Sequence, residues 1–84
     1  MVSEGRIRDL QIDRNGWQSR LDSLVLQRAK LLDDQAKGYR YLDESGVDRL
    51  PERIQIVDAA VLEHQEGLIS AQARLDRARN GEDV

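Results

Sequence analysis

Between Pro51 and Asn80 the apolar residues recur at alternating steps of three and four: Ile54, Val57, Val61, His64, Leu68, Ala71, Leu75 and Ala78. That spacing lays all of them on one stripe of an α-helix, and only His64 interrupts its apolar character. A second, looser strip of Ile56, Ala59, Leu62, Ile69 and Ala73 lies off the first. A helix apolar on two sides needs two neighbours. Pro51 suits a first helical turn, where its missing N–H costs nothing, and Glu52 suits the positive end of the helix dipole. Arg74, Arg77 and Arg79 suit the negative end, and Asn80-Gly81 supplies the stop. The expected helix therefore covers 51–80, followed by a tail at 81–84.

Upstream, Ser3 is a plausible N-cap, and Ile7 and Leu10 share a helical face. The next position on that face is Arg14, and Asn15-Gly16 follows. A glycine inside a helix costs about 1 kcal/mol relative to alanine, so residues 1–15 read as an N-terminal arm and the first full helix as 16–44. Its inner face is Trp17, Leu21, Leu24, Val25, Ala29, Leu32, Ala36 and Tyr39, widened by Leu31 and Leu42. Asp43-Glu44-Ser45-Gly46 clusters turn formers, and the turn is placed at 45–50. A connection that short folds two amphipathic helices back on each other as an antiparallel hairpin. With Leu42 beside Ile54, Tyr39 falls near Val57, Leu32 near His64, Arg28 near Leu68, Leu21 near Leu75 and Trp17 near Ala78. The arm then projects beyond the second helix by roughly 20 Å if helical.

The chain has 84 residues and no cysteine, so it is a single domain with no disulfide to reinforce a small core. Self-association or a partner is the remaining way to bury more apolar surface. The expected fold class is all-α: an antiparallel two-helix hairpin with coiled-coil-like packing that dimerises into a four-helix bundle. The expected interface comprises Ile7 and Leu10 of the arm with Ile56, Ala59, Leu62, Ile69 and Ala73. The expected partners are a second copy, as a homodimer or higher oligomer, and another protein.

Net charge is −3, unevenly spread: residues 1–42 carry eight basic and six acidic side chains, residues 43–84 five and ten. The basic residues are dispersed among acids, which argues against direct nucleic-acid binding. No apolar run reaches the roughly 18 residues of a membrane span, and no basic region precedes an apolar core at the N-terminus, so the expected location is the cytoplasm, away from membranes.

His64 lies between Glu63 and Glu66, but helical di-metal sites use Glu-x-x-His and residue 61 is Val. His64 therefore reads as a hydrogen-bonded bundle residue, with no metal, cofactor or catalytic residue expected. Arg28 reads as a side chain lying along the core edge, its guanidinium meeting water or Glu66. Tyr39 fits the core face, leaving Tyr41 free for recognition. These readings point to a non-enzymatic interaction or assembly protein: a small regulator, adaptor or phage structural accessory. Two alternatives come from other classes. One is a small all-α enzyme that holds an anionic metabolite with Arg28 and either Arg14 or Arg40 at a dimer interface. The other is an acidic inhibitor that mimics nucleic acid through Asp43, Glu44, Asp48, Glu52, Asp58, Glu63 and Glu66.

Overall fold

The computed structural model describes residues 2–82. It contains two helices, α1 (Glu4–Ala36) and α2 (Leu50–Arg79), packed against each other as an antiparallel hairpin measuring 59 × 20 × 15 Å. Ser3 caps α1 through its hydroxyl, which accepts from the Arg6 N–H at 3.2 Å. Pro51 stands in the first turn of α2, and Arg77 and Arg79 in its last turn.

The expected boundaries of the first helix are corrected at both ends. Residues 4–15 are helical and continuous with the rest of α1, and Gly16 does not break it. At the other end α1 stops at Ala36 rather than near residue 44. Gly38 adopts φ 79°, a left-handed conformation that disfavours side chains. The Tyr39 N–H donates to the Asp34 carbonyl at 2.9 Å and the Gly38 N–H to the Gln35 carbonyl at 3.0 Å, the bonding pattern of a Schellman stop. Helix α2 ends in the same pattern, with Glu82 N–H donating to the Arg77 carbonyl and Gly81 N–H to that of Ala78.

Residues 37–49 form a folded connection in place of the expected short turn. Asp43 Oδ1 accepts from the Ser45 and Val47 N–H groups at 2.8 and 3.0 Å, and Gly46 N–H closes on the Asp43 carbonyl at 3.0 Å. The chain then runs back antiparallel, with Leu42 bridged to Asp48 and the Arg49 N–H donating to the Tyr41 carbonyl at 2.8 Å. Asp48 Oδ1 accepts from both Tyr41 N–H and Leu50 N–H at 3.0 Å, so one carboxylate holds the start of α2 to the connection.

Because α1 ends early, the facing register differs from the expected one. Arg28 Nε meets Asp58 Oδ1 at 2.5 Å, Arg14 Nε meets Gln72 Oε1 at 2.7 Å, and Arg74 reaches Asp13 at 3.4 Å. Arg28 thus faces a point about ten residues, or ~15 Å, from Leu68. The projected overhang disappears, and residues 4–15 lie along the C-terminal half of α2. Leu10 is buried with Leu75 and Ala78, and Val2 and Ile7 pack against that cluster. Leu21, Leu50, Val57 and Ala71 complete the buried apolar set among the described residues. The heptad stripe of α2 does face α1, with Val57, Ala71, Leu75 and Ala78 buried and Ile54, Val61, His64 and Leu68 half-buried. On α1, Leu21 is buried and Trp17, Leu24, Leu31 and Leu32 are half-buried, whereas Val25, Ala29, Ala36, Tyr39 and Leu42 are exposed.

Candidate interaction surface

Helix α2 exposes three large apolar side chains of the expected interface: Ile56 at 63%, Leu62 at 58% and Ile69 at 70%. Ala59 and Ala73 are exposed as well. Leu10 and Ile7 are not on this surface, since both pack inside the hairpin. The remaining five do not form one face. At about 100° per residue, Leu62 and Ile69 differ by only about 20° around the axis, but Ile56 lies about 120° from Leu62 and about 140° from Ile69. Leu62 and Ile69, with Glu66 between them, form a back face on α2; Ile56 belongs to a different surface.

That second surface is an open groove of ≈ 420 Å³ between the helices near the connection. Helix α1 contributes Leu24, Gln27, Lys30 and Leu31; α2 contributes Arg53, Ile56, Val57 and Ala60; Tyr41 from the connection completes the wall. Its lining is mostly apolar, with Lys30, Tyr41 and Arg53 toward the connection and Gln27 between Leu24 and Leu31. Arg53 places its guanidinium 5.4 Å from the centre of the Tyr41 ring, within cation–π range.

Behind this end of the groove lies Asp34, the one charged residue that is buried among the described residues, at 3% exposure. Tyr41 Oη donates to Asp34 Oδ2, and Lys30 Nζ donates to Oδ1 at 3.0 Å. The Tyr41 hydroxyl and then the Lys30 ammonium hold the Asp34 carboxyl below its ordinary range. In return, the hydrogen bond to Asp34 raises both the Tyr41 phenol and the Lys30 amine. The network pins the connection to the last turns of α1 and fixes one wall of the groove. It also reverses the expected roles of the tyrosines: Tyr41 is half-buried and anchored, and Tyr39 is 57% exposed. Tyr39 lies beyond the Gly38 stop, so helical spacing no longer carries it to the inner face.

The other singled-out residues have local partners. His64 Nδ1–H donates to the Ala60 carbonyl at 2.7 Å, and its ring stands edge-on to Trp17 with centroids 5.3 Å apart. Among the described residues, no group of three or more His, Cys, Asp or Glu side chains is placed to hold a metal ion. Arg28 is paired with Asp58 instead of approaching Glu66. Arg14 lines a smaller polar hollow of ≈ 250 Å³ with Gln11, Asn15, Gln72 and Arg79. Gln72 carries Asp76 on its amide there and accepts from Arg14 Nε. Within the chain, Arg14 and Arg28 do not converge, being separated by about 21 Å of helix.

The acidic set is similarly divided. Asp43 and Asp48 hold backbone N–H groups, which lower both carboxyls. Asp58 pairs with Arg28 and Glu52 with Arg49. No described helix is long and apolar enough to cross a membrane.

Two groove residues, Lys30 and Arg53, and the buried Asp34 were not apparent as a group from the sequence. The available signal was Lys37-Gly38 as a helix stop, which would have brought Tyr41 back over the end of α1. Compared with known protein families, with curated proteins and with solved structures, the chain matches none.

Proposed function

We propose that this protein is a non-enzymatic assembly protein whose hairpins associate side by side, each pair bringing four helices together, and that the same surfaces receive another protein. The observation that carries this reading is the exposure of Leu62 and Ile69 on the back of α2, at 58% and 70%. Among the described residues, the buried apolar set of a single hairpin is only Leu10, Leu21, Leu50, Val57, Ala71, Leu75 and Ala78. Such a thin core gains from any contact that covers the second face of α2.

Light scattering on a size-exclusion column tests the proposal. The expected result is a mass of at least two chains at micromolar concentration, and replacement of both Leu62 and Ile69 by Glu reduces it to one chain with the helical circular dichroism retained. A wild-type chain that stays monomeric throughout that range overturns the reading.

A further inference from the structure

We infer that the contact between hairpins is head to tail: the back of α2 in one copy seats in the interhelical groove of the next copy. This rests on the self-assembly proposed above and specifies its polarity. The two surfaces match in length. Leu62 and Ile69 are two helical turns apart, about 10 Å along the axis, and the groove wall on α1 is marked by Leu24 and Leu31 at the same separation. The apolar pair of one copy therefore spans the apolar floor of another, where Ile56, 63% exposed, and Ala60 form the opposite wall.

Charge matches as well. Lys30 is balanced by Asp34, whereas the Arg53 guanidinium rests on the Tyr41 ring and takes part in none of the ion pairs formed by the described residues. Groove and back therefore differ in sign. Glu66 stands between Leu62 and Ile69 on the back face; it is exposed and in none of the ion pairs formed by the described residues. A carboxylate carried in by the back face meets the one unbalanced cation of the groove, and opposite charges steer such encounters into register.

The polarity follows from direction. The groove side of α2, at Ile56, and the back, at Leu62 and Ile69, are about 120–140° apart around the helix. One neighbour cannot cover both, so each added copy leaves a groove free at one end and a back free at the other. Such a heterologous contact continues into a ring or a filament rather than stopping at a closed pair.

The test uses two full-length single variants at exposed sites, Ile56→Asp to disable the groove and Ile69→Glu to disable the back. Light scattering gives mass and circular dichroism checks that each stays helical. The expected wild-type mass rises with concentration past two chains and falls with added salt. Each variant alone is monomeric, and the equimolar mixture forms particles of two chains and no larger, because each variant supplies the surface the other lacks. A wild type that stops at two chains, a variant that still assembles alone, or a mixture that stays monomeric overturns the head-to-tail contact while leaving self-assembly standing. A monomeric wild type removes the proposed function itself.

Discussion

The Trp17 ring lies directly against the backbone of Gly67: a Cβ on residue 67 would sit 2.5 Å from Trp17 Cζ3 and 2.6 Å from Cε3. The indole is further enclosed by the edge of His64 and by the Arg20 guanidinium, 4.9 Å from its ring centre. A bulky side chain entering a gap that only glycine leaves fixes where two helices cross. Gly67→Ala replaces a poor helix former with the best one, a local gain of about 1 kcal/mol. Forcing the methyl group into the ring costs about 1–3 kcal/mol. We expect net destabilisation in urea unfolding followed by circular dichroism. Combining Gly67→Ala with Trp17→Leu should be less damaging than the sum of the single changes; strict additivity would show that ring and glycine do not define the crossing.

Two other glycines should respond in opposite directions. At Gly16 the nearest atom to an added Cβ is the flexible Arg20 Nη1 at 3.2 Å, and the backbone is helical, so Gly16→Ala should stabilise by up to about 1 kcal/mol. Gly38 has open space around it but φ 79°, and Gly38→Ala should cost about 1 kcal/mol through backbone strain alone. Thermal melts read by circular dichroism distinguish the two; equal effects would contradict the helix ends described here.

These glycines also explain what was legible in the sequence. The heptad stripe of α2 was readable because each of its residues meets α1 through local periodicity, and its Asn80-Gly81 stop was read from the same chemistry that ends α1 at Lys37-Gly38. The stop at Gly38 was hidden because Tyr39 and Leu42 happen to continue the three-and-four spacing past it. That single error moved the register by about ten residues, created a false overhang, and assigned the buried Leu10 to a free surface. The groove was not legible at all. It depends on Asp34 and Tyr41 meeting across the connection, and no periodicity relates a helix residue to a residue in a folded turn. The back face of α2 was legible as exposed apolar surface, but its separation from Ile56 required following the angle around the helix residue by residue.

The Asp34 network makes the connection sensitive to acid. Asp34, Asp43 and Asp48 all have carboxyls lowered by hydrogen bonds that exist only in the folded chain. A lowered folded-state value means stability that is complete above the ordinary aspartate value, about 4. It is lost as pH falls through the depressed values. Tyr41 and Lys30 are raised, so their contribution is complete below their ordinary values, about 10, and is lost as pH climbs through the raised ones. In a Tyr39→Phe background, tyrosinate absorbance reports Tyr41 alone. Asp34→Asn should move that transition to lower pH, because the carboxylate that opposed ionisation is gone. An unmoved transition would mean that the hydroxyl does not rest on Asp34 in solution.

The register itself can be measured through Arg28. It meets Asp58 at 2.5 Å across the hairpin, with the two side chains 45% and 47% exposed, a degree of exposure at which solvent screens much of the attraction. A double-mutant cycle with Arg28→Ala and Asp58→Ala should give a coupling of about 0.2–1 kcal/mol, smaller at high salt. The sequence reading has Arg28 meeting water or Glu66, the latter about 12 Å further along α2. A parallel cycle with Glu66→Ala should therefore give no coupling within error, in keeping with independent distant sites. The result discriminates because the two registers differ by whole turns of helix: coupling to Glu66 and none to Asp58 would restore the longer first helix, free residues 4–15 from α2, and return Leu10 to the surface.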